Sequence, residues 1–228
     1  MMLSLKNVSK SFGGVKAVNG CTFEVEENTI TSLIGPNGAG KTTAFNIISG
    51  LTKIDKGTIR LIRKNITNLP AYKIAQSGIS RTFQLTKVFK NMSIKDNLLI
   101  AKKTDEEEMK QVLDSVYLEK PLDTIASELS YGQQRLLELA RALLMPHSLL
   151  MLDEPTAGVN PKIRQEFKSI LKKLKKQGKT VLLIEHDMEF VMDISDFVIV
   201  MDEGKVLRVG KPKAIVKDKK VLEAYLGK

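Results

Sequence analysis

The 228 residues hold 36 Lys and Arg against 26 Asp and Glu, a net charge of +10, with 43% hydrophobic residues and one cysteine. That length and apolar content suit one large domain, or one domain with subdomains, around a substantial core. Cys21 alone forms no internal disulfide, with His147 and His186 it makes no structural zinc site, and no run approaches the roughly 18 apolar residues of a spanning helix.

LSLKNV (3–8) and CTFEVE (21–26) read as strands, with SFGG a turn between them and EEN a turn before the strand TITSLIG, a small antiparallel opening. The stretch GPNGAGKTT leads into a helix from about Lys41 to Ser49, stopped by Gly50, then a short strand GTIRLI and a helix beginning near Pro70. From SIKDNLLIA to about Leu144 the pattern is mostly helical, with DEEEMK on its outer face and LEKPLD breaking it. This is expected to be a helical subdomain, approximately residues 91–145, inserted in an α/β frame formed by approximately 1–90 and 146–228.

The remainder alternates. SLLMLDE is a buried strand, Asn160 caps a helix with Pro161 at its first position, and Gly178 ends it. TVLLIE is a strand, HDMEFVMDIS a helix, FVIVMD and KVLRVG two more strands, and KDKKVLEAYLG a closing helix. Near-continuous apolar strands separated by helices indicate a parallel sheet covered on both faces. The basic run KKLKKQGK, Lys172 to Lys179, shares a helix with Ile163, Phe167, Ile170, Leu171 and Leu174 on one face, which makes its lysines the solvated side. Without interleaved aromatics it argues against nucleic acid as a partner, although attraction to an anionic membrane surface stays open. The opening MMLSLKNVSK lacks the apolar centre of a secretory signal, so a soluble, cytosolic chain is expected.

Chemistry concentrates at two places. Gly35, four residues, then Gly40, Lys41 and Thr42 satisfy the spacing of a phosphate loop, with a strand before it and a helix after it as that loop requires. Phosphates bind successive backbone N–H groups at the positive end of a helix, so the chain must be bare enough to wrap closely, hence Gly35, Gly38 and Gly40. Lys41 is placed to reach the β- and γ-phosphates and the Thr42 hydroxyl to ligate magnesium. The second place is the end of SLLMLDE, where an open α/β sheet presents its ligands. There Asp153 suits magnesium through water, and Glu154 suits a base that polarises the attacking water. Together these indicate a nucleoside triphosphatase using Mg2+, a pattern that many families share.

With LSYGQQ (129–134) at the head of an amphipathic helix, the chain resembles the ATP-binding cassette (ABC) family: GPNGAGKTT, the glutamine of RTFQ, LSYGQ, LLMLDEP and the histidine of IEHD occur in that family's order over essentially the whole chain. The resemblance implies an α/β P-loop fold with a parallel core sheet, an N-terminal antiparallel subdomain and an inserted helical subdomain. It also implies roles by position. Phe12 stacks on adenine; Gly35, Pro36, Asn37, Gly38, Ala39, Gly40, Lys41, Thr42 and Thr43 cradle the phosphates; Gln84 contacts magnesium beside Thr42 and Asp153 and senses the γ-phosphate; His186 is the switch histidine. Ser130, Gly132 and Gln133 match the signature loop that closes over ATP bound by the opposite subunit, so a second ATPase subunit, identical or paralogous, is expected head to tail. Two positions depart from the family: Tyr131 stands where many members have glycine, and Asn160 replaces an aspartate, which puts in question communication that relies on a carboxylate there.

One cassette without a sustained coiled coil resembles a transporter ATPase, working with separate transmembrane permease subunits at the cytoplasmic face of the membrane. SRTFQLTKVFKNMSIKDNL, ELSYGQQRLLELARALL and VLEAYLG are similar to the ATPase subunits of branched-chain amino acid importers, although the segment between Asn97 and Leu129 is shorter than usual for them. Cassettes serving lipopolysaccharide export or urea uptake, and a soluble nucleic-acid-acting ATPase, are the alternatives.

Overall fold

In the computed structural model, which describes residues 1–226, strands β1 (Leu3–Phe12) and β2 (Val15–Val25) turn about Gly13 and Gly14. Both glycines have positive φ, 50° and 87°, so the turn is tighter than SFGG, and Ser11 and Phe12 stay paired in the hairpin. Strand β3 (Ile30–Ile34) delivers the chain to the glycine loop and helix α1 (Lys41–Ile48), which Gly50 ends in the left-handed region. The next elements are β4 (Lys56–Leu61), β5 (Lys64–Asn65), α2 (Ala71–Gln76) behind Pro70, and β6 (Ile79–Arg81).

Helices α3 (Ile94–Ala101), α4 (Glu106–Ser115) and α5 (Tyr131–Leu144) form the helical part. Their starts are written in the sequence: Ser93 and Asp96 close a capping box on α3, and Asp105 caps α4 ahead of three glutamates in its first turn. The chain then alternates as β7 (Leu149–Asp153), α6 (Pro161–Lys176), β8 (Thr180–Ile184), α7 (Met188–Ile194), β9 (Phe197–Asp202) and β10 (Lys205–Gly210), and closes with α8 (Pro212–Ile215) and α9 (Lys219–Leu226). Gly227, the expected last residue of the closing helix, lies outside the described residues.

Two sheets result. The smaller is antiparallel in the order β2-β1-β4-β5, and the larger runs β10-β9-β3-β8-β7-β6. Four of the five pairings in the larger sheet are parallel, and β10 joins β9 antiparallel, so the core sheet is mixed rather than wholly parallel. The reason is local: Glu203 and Gly204 have positive φ and fold KVLRVG straight back as a hairpin, where parallel strands would need a crossover.

Alternate residues of the buried strands feed different cores. Leu150, Leu152, Val181 and Leu183 face the side covered by α5 and α6, whereas Leu149, Met151, Leu182 and Ile184 face α1 and the antiparallel sheet. A third, smaller cluster joins Ile34, Val198 and Val200 to Ile215 of α8 and Val221 of α9. The strands end together, and the loops after β3, β6, β7 and β8 converge there as doubly wound sheets require.

Candidate nucleotide site

The glycine loop is fixed by what its neighbours leave no room for. A Cβ on Gly35 would lie 2.0 Å from the Met201 carbonyl oxygen, and one on Gly40 2.3 Å from that of Ala17. Gly40 also holds a left-handed φ of 95° as it opens α1, a conformation that disfavours any residue with a side chain. The Lys41 side chain is buried beneath this loop, donating to the carbonyls of Gly35 (2.7 Å) and Pro36 (2.8 Å). Burial pulls its ammonium below the ordinary lysine value, and Glu154 and Asp153 oppose the shift.

A cleft of about 250 Å³ lies over the loop, lined by residues 37–43, Ala17, Gln84, Glu154 and His186. Three segments meet on one carboxylate there: Gln84 Nε2 donates to Glu154 Oε2 at 3.0 Å, and His186 Nε2 lies 2.8 Å from Glu154 Oε1. Glu154 has a φ of +49°, which turns its side chain out of the strand direction, and its N–H is anchored to the Ile184 carbonyl. His186 belongs to the loop after β8 rather than to the helix expected there. Asp187 caps α7 by accepting from the Phe190 N–H, so the helix begins at Met188.

Asp153 is buried one residue earlier. Its Oδ2 accepts from Arg81 at 2.9 Å, its Oδ1 has no partner among the described residues, and burial pushes its carboxyl up against the pull of Arg81. An orphaned carboxylate oxygen at a strand end suits a hydrated magnesium ion, and the exposed Thr42 opens the first turn of α1 in the lining of the same cleft. Phe12 stands half-exposed at the hairpin tip with Lys10 Nζ 5.3 Å from its ring centroid, and Ala17 is the residue of β2 that lines the cleft.

The signature segment lies elsewhere on the chain. Ser130 caps α5 in a capping box with Gln133: Ser130 Oγ accepts from the Gln133 N–H, and Gln133 Oε1 accepts from the Ser130 N–H at 3.0 Å. Gly132 is buried against α6, where a Cβ would meet Ile163 Cγ1 at 2.8 Å. Tyr131 rests on the loop after the acidic pair, with Cε1 3.4 Å from where a Cβ on Gly158 would lie. Asn160 caps α6 through the Ile163 N–H at 3.0 Å. A larger groove of about 800 Å³ opens at this end, its lining including Ser130, Gln133, Asn160, Glu119 and Glu166.

A match to the protein-family model described as ABC transporter spans residues 18–157. The chain belongs to the ABC transporter family. Its activity is therefore the family's, ATP hydrolysis coupled to transport. It is 41% identical to the high-affinity branched-chain amino acid transport ATP-binding protein BraF of Pseudomonas aeruginosa, over 99% of this chain and 98% of that one. It is 40% identical to the corresponding LivG of Salmonella typhimurium, again over 99% and 98%. Those alignments run over 249 and 252 residues, so the relatives carry residues that this ABC chain lacks. Among solved structures, a nucleotide-free ATP-binding cassette from an ABC transporter superposes with a TM-score of 0.92 at 33% identity, over 100% of this chain and 99% of that one. A dimeric post-hydrolysis cassette, MJ0796 bound to ADP and Pi, superposes at 0.82 with 26% identity, over 92% and 99%.

Two arginines of this ABC chain carry structure that the motifs did not assign. Arg135, almost wholly buried on α5, donates to the carbonyls of Phe83 (2.8 Å) and Gln84 (3.2 Å), to Glu138 Oε2 (3.1 Å) and to the Glu154 carbonyl, so one side chain fixes the backbone of both the glutamine and the acidic segments. Its signal in the sequence is a charged pair, Arg135 and Glu138, spaced one turn apart inside an apolar helical stripe. Arg81 is the other. Glu185 is a third buried group, raised above its ordinary range by burial and held by the Thr156 N–H (3.0 Å) and hydroxyl (2.7 Å). On α9, partial burial pushes the Tyr225 phenol up to about 12.

Proposed function

We propose that this chain is the ATP-hydrolysing subunit of a branched-chain amino acid transporter, acting as one of a head-to-tail pair of cassettes docked to permease subunits. The observation that carries the reading is Glu154, held between Gln84 and His186 above the Lys41 loop. In the proposed cycle the triphosphate lies along the N–H groups of the loop, and Lys41 exchanges the carbonyls of Gly35 and Pro36 for phosphate oxygens. Thr42, Gln84 and Asp153 are the residues that would hold magnesium, which supplies charge neutralisation at the β- and γ-phosphates. Glu154 then orients and polarises water, while His186 turns Nε2 from that carboxylate to a γ-phosphate oxygen.

The Ser130 hydroxyl uses its oxygen as a cap acceptor and keeps its proton, so it suits a phosphate brought by a second subunit. Around Gln84 the surface turns apolar: Leu85 is 78% exposed and Phe89 45%, beside a small groove between Phe83, Ala101, Arg141 and Met145. That is the surface we assign to the permease, and no helix among the described residues is long and apolar enough to cross a membrane. The solute class comes from the relatives, since nothing in a cassette contacts the solute. The lysines of α6 give no support to a nucleic-acid reading, because Lys168, Lys172 and Lys175 are paired with Asp193 and Asp196.

Glu154→Gln tests the assignment. ATP binding should survive, hydrolysis should fall by about 100-fold or more, and a nucleotide-bound dimer should accumulate on gel filtration. Hydrolysis at the wild-type rate would remove Glu154 from the role. Copurification with permease subunits and ATPase stimulation by leucine, isoleucine or valine in liposomes tests the solute class.

A further inference from the structure

Arg81 ends β6 three residues before Gln84, and its side chain is only 6% exposed. Nη2 donates to Asp153 Oδ2 at 2.9 Å, while Nη1 donates to Asn46 Oδ1 at 2.9 Å and to Ser49 Oγ at 2.7 Å, at the far end of α1. The guanidinium carbon lies 5.5 Å from the Phe45 ring centroid and 5.0 Å from that of Phe83. A planar fork packed against two rings, with its two terminal nitrogens aimed at three acceptors, has little rotational freedom. It therefore orients its carboxylate partner as well as neutralising it.

The effect falls on Asp153. One oxygen is occupied by Arg81, and the other, Oδ1, is buried without a partner among the described residues. Groups that grip a metal-holding side chain from behind decide which of its atoms faces the cation. We propose that Arg81 is the positioning residue of the magnesium site: it fixes Asp153 with Oδ1 toward the cation and ties that carboxylate both to α1, which carries Thr42, and to the segment that carries Gln84. The proposal rests on reading the cleft as an Mg-ATP site. Arg81 touches neither nucleotide nor cation in this scheme and acts through Asp153. A displacement of the Gln84 segment, next to the surface assigned to the permease, then reaches the metal carboxylate along β6 through one side chain.

A merely structural ion pair makes a different forecast. Weakening it would lower stability and impair every form of nucleotide binding alike. The experiment is equilibrium binding of a fluorescent ATP analogue to the full chain, first in EDTA and then across a magnesium titration, for the wild type, Arg81→Lys and the double variant Asn46→Ala with Ser49→Ala. Lysine keeps the charge and loses the fork, so we expect the half-saturating magnesium concentration to rise about tenfold or more with affinity in EDTA held within about twofold. The double variant keeps the ion pair but frees the other half of the fork, and should raise the magnesium requirement by about threefold. An unchanged magnesium requirement in both variants overturns the proposal, as does an equal loss in EDTA and in magnesium. Should Arg81→Lys fail to fold, the double variant decides alone, a rise supporting the proposal and no change overturning it. A wild type that binds no nucleotide under either condition would instead sink the functional reading beneath it.

Discussion

The N-termini of α1 and α5 are both positive helix ends, yet the chain treats them in opposite ways. α1 opens on Gly40 with no side-chain cap among the described residues, and its first intrahelical bond, from the Ala44 N–H, leaves the preceding N–H groups of Lys41, Thr42 and Thr43 turned toward the cleft. α5 opens on a complete capping box that uses the backbone N–H groups of both Ser130 and Gln133. The uncapped start relies on a ligand to satisfy three N–H groups, whereas the capped start leaves two, those of Tyr131 and Gly132, beside the Ser130 hydroxyl proton. On the proposed reading the first end grips the triphosphate and the second only finishes an enclosure that another subunit begins.

Substitutions at the two ends separate these roles. The largest effect is expected from Gly35→Ala, because the new methyl would fall 2.0 Å from a backbone oxygen that cannot step aside. Such a clash should cost about 3 kcal/mol or more and abolish ATP binding, which denaturation and nucleotide titration would both register. Gly132→Ala meets a side chain instead, Ile163 Cγ1 at 2.8 Å, and gains some helical propensity. A net loss of about 1–2 kcal/mol is expected in urea denaturation, with ATP affinity of the single chain preserved. If Gly132→Ala destroyed nucleotide binding as Gly35→Ala should, the two ends would not be separable as argued.

Ser130→Ala removes the box and should cost about 1 kcal/mol in melting experiments, again sparing single-chain ATP affinity while depressing turnover in the pair. The smallest effect concerns Glu185, which holds Thr156 at the start of the loop on which Tyr131 rests. Burial raises its folded pKa above the ordinary 4.5, so the folded state binds the proton more tightly than the unfolded state does. Stability from this group is therefore lost as pH rises from about 4.5 through the folded value. Glu185→Gln keeps an acceptor for Thr156 and should lose that slope, so melting curves of the two proteins against pH should diverge across this window and run parallel above it. Parallel curves throughout would mean that Glu185 sits in a wetter environment than its burial implies.

Much of this was legible in the residues. Gly35 and Gly40 are dictated by backbone proximity, Pro161 and Asn160 by helix-start chemistry, and the buried strands by unbroken apolar runs. Other features were hidden for identifiable reasons. β6 is three residues long and ends in a charged one, so no periodicity could develop, and Arg81 passed as a polar residue in a quoted motif. The helix expected over HDMEFVMDIS starts two residues later, because Asp187 is its cap. Arg135 needed knowledge of which carbonyls lie opposite, which only the folded chain supplies.

Both oxygens of Glu154 are engaged, one by an amide and one by an imidazole. Each oxygen keeps a further lone pair for water, so on the proposed reading Gln84 and His186 aim the base and leave its approach open. On that reading the two neighbours steer the base, and a small movement of the segment after β6 that carries Gln84 would re-aim it.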